Sequence, residues 1–283
     1  MIPPEFDYVA PDSLDDALAA LAEGGEDAKL LAGGHSLIPL MKLRLAAPTL
    51  LVDLRRVPGL RGIERENGSW RIGPMTRHAD LQIRDDLGLL ATAAALIADQ
   101  QVRNRGTIGG SLAHGDPASD FPGVLLAAEG SVTARGQEGT REIAAADLFQ
   151  DYLTTALEPG EVLTEVRFPA LDGWGHGYEK FNRRAEDWAM VGVSALVRRG
   201  ADGTCEDVRI GLTNMASTPL RATAAEEALR GGPLDADHIA RAAELAAEGT
   251  DPPGDLNATP EYKRHLARVL SRRALERAAG AGS

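Results

Sequence analysis

A glycine doublet set between a strand and a helix decides most of what the first part of this chain can become. Lys29-Leu-Leu-Ala reads as a short buried strand that runs straight into Gly33-Gly34-His35-Ser36. A helical pattern resumes from Leu37 to Leu45 and stops at Pro48, and Thr49-Leu-Leu-Val-Asp-Leu reads as the next strand. Upstream, Ser13 is a candidate N-cap with Asp16 three residues on, and Leu14, Leu18 and Leu21 give an amphipathic spacing that Gly24-Gly25 ends. Residues 1–57 are therefore expected to form a strand–glycine turn–helix–strand unit. A Gly-Gly pair in that position lets consecutive amide N–H groups converge on an anion, with a helix N-terminus behind them and the Ser36 hydroxyl beside them. The plainer reading is a tight turn in which glycine serves packing.

The same arrangement returns 76 positions later. Thr107-Ile-Gly-Gly-Ser-Leu-Ala-His carries Gly109-Gly110 followed by Ser111, and Asp116, Ser119 and Asp120 lie just beyond. Carboxylates here suit the hydroxyls of a ribose or ribityl chain, although Asp in a loop also serves as a local turn acceptor. The Gly, Pro, Asn and Asp content of residues 100–122 predicts ordered loop and not helix. Neither segment fits G-x-G-x-x-G, and no Gly-Lys-Ser/Thr occurs, so nicotinamide and P-loop fingerprints are absent. Two close-approach sites in one acidic chain point to a long ligand with a diphosphate at its middle.

Elsewhere, Asn67-Gly68 marks the turn of a hairpin over 62–72. Helices are expected from near His78, over Leu89–Ala98 and over 123–129, with strands at 131–135 and 161–168. Asp172-Gly-Trp-Gly-His-Gly reads as the internal boundary. Beyond it come strands at 178–181, 191–197 and 208–213, then helices at 222–230, 235–248 and 260–279. No internal repeat is present.

Composition removes several function classes. The 283 residues carry a net charge of −12, which disfavours nucleic acid as a partner. No run approaches the roughly 20 apolar residues of a membrane span, and the first residues lack the pattern of a secretory leader. The single Cys205 rules out a disulfide framework and a cluster ligated by this chain alone, and no nucleophilic partner stands near it in sequence. None of the six histidines shows metal-ligand spacing. A soluble cytoplasmic protein without a metal site is expected.

Three stretches together resemble a known family. Leu31-Ala-Gly-Gly-His-Ser-Leu-Ile-Pro-Leu-Met-Lys-Leu-Arg-Leu and Arg105-Gly-Thr-Ile-Gly-Gly-Ser-Leu-Ala-His-Gly-Asp-Pro-Ala-Ser-Asp-Phe-Pro are similar to the two flavin motifs of molybdenum hydroxylases. Tyr178-Glu-Lys-Phe-Asn-Arg-Arg-Ala-Glu-Asp-Trp-Ala-Met-Val resembles the opening of their C-terminal domain, and Tyr262-Lys-Arg-His-Leu-Ala-Arg-Val-Leu the closing helix. The match is to the FAD-carrying medium subunit of the aerobic carbon monoxide dehydrogenase and xanthine dehydrogenase family, and it covers essentially the whole chain.

The resemblance implies an α+β protein. A two-part FAD-binding domain of the PCMH/vanillyl-alcohol-oxidase type would span 1–173, with subdomains of about 1–57 and 58–173. A small domain of 174–283, with a three-stranded antiparallel sheet and a helical bundle, would follow. FAD would lie noncovalently on Leu31, Ala32, Gly33, Gly34, His35 and Ser36 and on Thr107, Gly109, Gly110 and Ser111. Asp120 matches the hydroxyl-binding aspartate. Ile97, Leu163 and Lys180 fall where relatives contact adenine or flavin, His114 is a further flavin candidate, and Trp188 matches an aromatic position near the isoalloxazine ring. Arg103 and Arg105 bracket the second motif, as structural residues or facing a partner.

No residue of this chain need act as catalytic acid, base or nucleophile. The [2Fe–2S] centres would sit on a small partner subunit and molybdopterin on a large one, with FAD delivering electrons to an external acceptor. The expected assembly is a dimer of heterotrimers, cytoplasmic or at the inner face of the membrane. A stand-alone FAD-dependent oxidase or dehydrogenase, and a non-redox assembly module, are the alternatives.

Overall fold

The computed structural model describes residues 2–280. The chain opens with β1 (Asp7–Val9), α1 (Leu14–Gly24), β2 (Ala28–Leu31), α2 (Leu37–Lys42) and β3 (Leu50–Asp53). The strands form a parallel sheet ordered β1-β3-β2. Ser13 caps α1 by accepting the Asp16 amide at 3.0 Å. Ala17, Leu18 and Leu21 on α1 pack against Val52, Leu54 and Val57. α2 ends earlier than its pattern predicts, because Arg44 takes a left-handed conformation at φ 60°. The amides of Leu45 and Ala46 then turn back to the Leu40 carbonyl.

The middle of the chain builds a five-stranded antiparallel sheet under a layer of short helices. It contains β4 (Ile63–Glu66), β5 (Ser69–Ile72), α3 (His78–Gln82), α4 (Leu89–Ala95), α5 (Gln100–Arg103), α6 (Ile108–His114) and α7 (Asp120–Ala128). β6 (Ser131–Gly136), β7 (Gly139–Ala144), α8 (Ala145–Leu148), β8 (Phe149–Asp151), β9 (Thr154–Thr155) and β10 (Val162–Pro169) follow. The sheet order is β4-β5-β10-β6-β7. Asn67 and Gly68, both at positive φ, close the β4–β5 hairpin. Residues 100–122 correct the loop expectation, since they hold α5, α6 and the start of α7. Thr107 caps α6, its hydroxyl accepting the Gly110 amide at 3.2 Å. The glycines of α6 are there for contact: a Cβ on Gly109 would lie 2.3 Å from Pro74.

The last part has β11 (Trp174–Phe181), β12 (Val191–Arg199), β13 (Cys205–Thr213) and β14 (Leu220–Arg221), then α9 (Thr223–Leu229), α10 (Ala236–Glu244) and α11 (Pro260–Gly280). The three long antiparallel strands of the expected sheet carry a fourth of two residues, in the order β11-β12-β13-β14. β11 starts at Trp174, inside the segment that composition marks as a boundary. Its glycines let α11 lie directly on the strand: a Cβ on Gly175 would sit 1.9 Å from the Ala278 carbonyl oxygen, and one on Gly177 2.2 Å from that of Ala274. One core joins this sheet to its helices through Val193, Ile210, Leu266 and Leu270. Tyr178 and Leu196 instead face the middle core, beside Phe121 and Val124 of α7. α7 thus packs between the two larger sheets, which places its first residue where both can reach it.

Candidate functional site

The first glycine motif turns the chain from the C-terminal end of β2 into α2. Gly34 sits at φ +79°, a conformation that only glycine adopts without cost. Among the described residues, the amides of Gly33, Gly34, His35 and Ser36 donate to no acceptor in the chain. The Ser36 hydroxyl is equally unengaged. Backbone N–H groups are obligate donors, so four in succession without a partner form a cradle for an anion.

The second motif lies directly against the first. A Cβ on Gly33 would come within 2.5 Å of the Arg105 carbonyl oxygen and 2.8 Å of the Gly106 Cα. A Cβ on Gly110 would lie 3.4 Å from the Ala32 Cβ. The two motifs, distant in sequence, are in contact. Their contributions differ, however. The Ile108 amide donates to Thr76 (3.0 Å), that of Gly109 to Pro74 (2.8 Å) and that of Gly110 to the Thr107 hydroxyl. The expectation of bare amides therefore describes the first doublet. The second supplies close approach, together with the free Ser111 hydroxyl, because the 74–76 segment packs across its helix start.

Asp120 opens α7 and is buried. Its Oδ1 accepts from the Tyr178 hydroxyl at 2.5 Å and its Oδ2 from Lys180 Nζ at 2.9 Å. Lys180 Nζ also donates to the Leu96 carbonyl at 3.2 Å. The Lys180 and Asp120 side chains are each 4% exposed, so β11 delivers a buried cation to the tip of α7. Burial pushes the Asp120 carboxyl above its ordinary value, against the pull of Lys180 and Tyr178. The Tyr178 hydroxyl is raised well above the usual range by the same burial and by the adjacent carboxylate. Both Asp120 oxygens are thus engaged by protein donors, though each retains a lone pair for a ligand hydroxyl. Asp116 serves as a turn acceptor for the Ala118 amide at 2.8 Å.

The remaining expected residues scatter. His35 is exposed, its pKa lowered by partial burial and by Arg105. Leu31 ends β2 half-buried beneath Gly34. Ile97 is half-buried on the middle core, and its carbonyl accepts from Arg103 at 2.8 Å, which makes Arg103 a loop brace. Leu163 lies inside the core at 5% exposure, and His114 ends α6 half-buried. Trp188 is 52% exposed on the loop between β11 and β12.

Sequence reasoning missed His78, which it read only as a helix start. The ring is wedged beneath the second motif: a Cβ on Gly106 would lie 2.6 Å from His78 Nε2, and Phe121 meets the ring edge-on at 5.2 Å. Burial, His35 and Arg103 press its pKa down to about 3. A histidine opening a helix that leads with Leu81 was the only available signal. Among the described residues no group of three or more His, Cys, Asp or Glu could hold a metal ion, and no helix is long and apolar enough to cross a membrane.

Comparison with known proteins follows the same two-part division. The family model described as "FAD binding domain in molybdopterin dehydrogenase" matches residues 4–171. That described as "CO dehydrogenase flavoprotein C-terminal domain" matches 176–278. The carbon monoxide dehydrogenase medium chain of Hydrogenophaga pseudoflava is 44% identical, over 98% of both chains. The 6-hydroxypseudooxynicotine dehydrogenase complex subunit alpha of Paenarthrobacter nicotinovorans is 42% identical, over 98% of this chain and 96% of that one. A solved structure of carbon monoxide dehydrogenase from Hydrogenophaga pseudoflava superposes with a TM-score of 0.94 at 47% identity, covering 98% of each chain.

Proposed function

The chain belongs to the family of FAD-binding medium subunits of molybdenum hydroxylases, and from that premise we propose that it binds FAD between its two glycine motifs and serves as the electron-transfer subunit of a heteromeric enzyme. The observation that carries this reading is the row of unpartnered amides from Gly33 to Ser36, held against the start of α6. A diphosphate answers those donors without a neighbouring lysine, and the missing Cβ atoms leave room for its close approach.

When bound, the flavin supplies the junction at which electrons from the [2Fe–2S] centres of a small partner subunit pass to an external acceptor. The chain's own residues bind and orient. The first doublet and Ser36 hold the phosphates, and Thr107, Gly109, Gly110 and Ser111 set the opposite wall. Asp120 is placed for ligand hydroxyls, while Lys180 is fixed by Asp120 and the Leu96 carbonyl at the start of α7. Leu31, Ile97 and Leu163 supply apolar backing, and His35, His114 and Trp188 complete the set of contacts. The molybdopterin and the substrate site belong to the large partner. The large partner sets the substrate; two of the relatives are carbon monoxide dehydrogenase medium chains, and another is a subunit of 6-hydroxypseudooxynicotine dehydrogenase. We assign residues 1–173 to the FAD-binding domain, divided near 57, and 174–283 to the C-terminal domain. The assembly is a cytoplasmic dimer of heterotrimers, and the buried, unpaired Cys205 suits a reducing compartment.

The test is spectroscopic. The purified chain, alone or after incubation with FAD, is expected to show flavin absorbance that survives gel filtration. With its partner subunits added, substrate is expected to bleach that absorbance. A folded chain that takes up no flavin refutes the proposal, and a chain that oxidises a small substrate without partners supports the stand-alone oxidase instead.

A further inference from the structure

Arginines on this molecule are as a rule tied to carboxylates, as Arg71 is to Glu64 and Glu165, Arg141 to Glu161, and Arg221 to Glu129 and Glu226. Arg44, Arg184, Arg241 and Arg273 have no such partner among the described residues, and neither do Arg61, Arg77 and Arg105, but these last three are gathered in one place. Among the described residues none of their side chains makes an ion pair or a hydrogen bond, and all three line one pocket of about 70 Å³. They reach it from three segments: the turn before β4, the residue before α3, and the approach to α6. Ala32 and Thr107, one from each glycine motif, and Met75 complete the wall.

The pocket has two further charged groups, and both are answered locally. Asp53 is 5% exposed, its Oδ2 taken by the Tyr8 hydroxyl and its Oδ1 by the Arg55 amide, each at 2.8 Å. The Arg55 guanidinium lies 3.4 Å from that carboxylate and over the Tyr8 ring. Three guanidinium groups therefore remain without a counter-charge, in a chain with 42 acidic residues against 30 basic ones. Like charges gathered in a concave site repel one another unless an anion joins them. Guanidinium forks match the oxygens of a phosphoryl group in geometry as well as charge. The volume admits a group of a few heavy atoms, the size of a phosphoryl head.

We propose that Arg61, Arg77 and Arg105 form a second anion subsite, adjoining the bare-amide cradle and sharing Ala32 and Thr107 with the walls of the cofactor site, that takes a tetrahedral oxyanion: free phosphate, or the phosphoryl end of a small metabolite. The amide cradle is neutral and suits a diphosphate approached by backbone. The arginine pocket holds fixed charge on long side chains and suits a dianion that comes and goes.

Calorimetric titration of inorganic phosphate into the full chain tests this, with chloride holding ionic strength constant and with FAD either absent or saturating. A saturable site is expected in both states. It is expected to weaken at least about tenfold in an Arg61→Gln/Arg105→Gln double variant, a loss of about 1.4 kcal/mol. Arg77→Gln alone is expected to weaken it as well, with melting temperature and circular dichroism unchanged in each variant. Phenyl phosphate binding as tightly as phosphate assigns the site to a phosphorylated molecule, whereas phosphate binding alone assigns it to the free ion. The proposal is overturned by no saturable binding, by equal binding in the double variant, or by phosphate being lost whenever FAD is bound. If the chain takes up no FAD, the cofactor reading fails while the flavin-free titration still decides this site.

Discussion

His78 is neutral throughout the physiological range, because its surroundings press the imidazole to a pKa of about 3. In the unfolded chain the same group titrates near 6.5. Between those values the unfolded state holds the proton more tightly, so protonation favours unfolding as pH falls. Stability is expected to decline from about pH 6.5 downward, by up to about 1.4 kcal/mol per unit, and His78→Gln removes that contribution. The gap in melting temperature between wild type and His78→Gln should be widest at pH 7 and narrow steadily toward pH 4; parallel curves would contradict the burial argument. Asp120 and Lys180 offer a second case. Asp120→Ala leaves a buried ammonium with only the Leu96 carbonyl and is expected to cost about 3–5 kcal/mol. An Asp120→Leu/Lys180→Met double variant should cost markedly less in denaturant unfolding, whereas simple additivity would show that the pair is not coupled. Asp120 and Lys180 were visible in the sequence through motif resemblance. Tyr178 as a carboxylate partner and His78 as a wedge were not, since both depend on distant segments arriving together.

At the scale of elements, amphipathic spacing and the Ser13 cap located α1, and β12, β13, α10 and α11 also lie close to their expected ranges. The glycine-rich elements defeated that reasoning. Local propensity treats glycine as loop-forming, yet α6 and β11 use it to let a neighbour touch their backbone. β7 was missed for a related reason: Gly139–Ala144 is an edge strand with a single buried residue, so it shows no alternation. The packing explanation predicts that Gly175→Ala and Gly177→Ala each destabilise the fold by at least about 1–3 kcal/mol, as overpacked sites do. Gly173→Ala has positive φ but nothing within 4 Å of its new Cβ, and should cost only about 1 kcal/mol. Equal losses at all three positions in chemical denaturation would mean that backbone strain, not contact with α11, explains these glycines.

Three sheets meet around α6 and α7, and the site draws on each of them. The parallel sheet ends in the amide cradle, the helical layer above the five-stranded sheet supplies the second motif, and β11 of the last sheet sends Lys180 to Asp120. That convergence was inferable in outline, because two strand-to-helix glycine doublets ask for one long ligand. Which doublet keeps its amides free was not, since the answer lies in the 74–76 segment crossing the second. The two motifs meet where Gly33 touches the Arg105–Gly106 backbone, and fluorescence titration of FAD into wild type and Gly33→Ala reads whether that contact shapes the binding site. Wild type should bind saturably. Gly33→Ala, still folded, should bind at least about tenfold more weakly, because its methyl group must push the two motifs apart. Wild-type affinity in a folded Gly33→Ala chain would show that FAD does not lie between the two motifs.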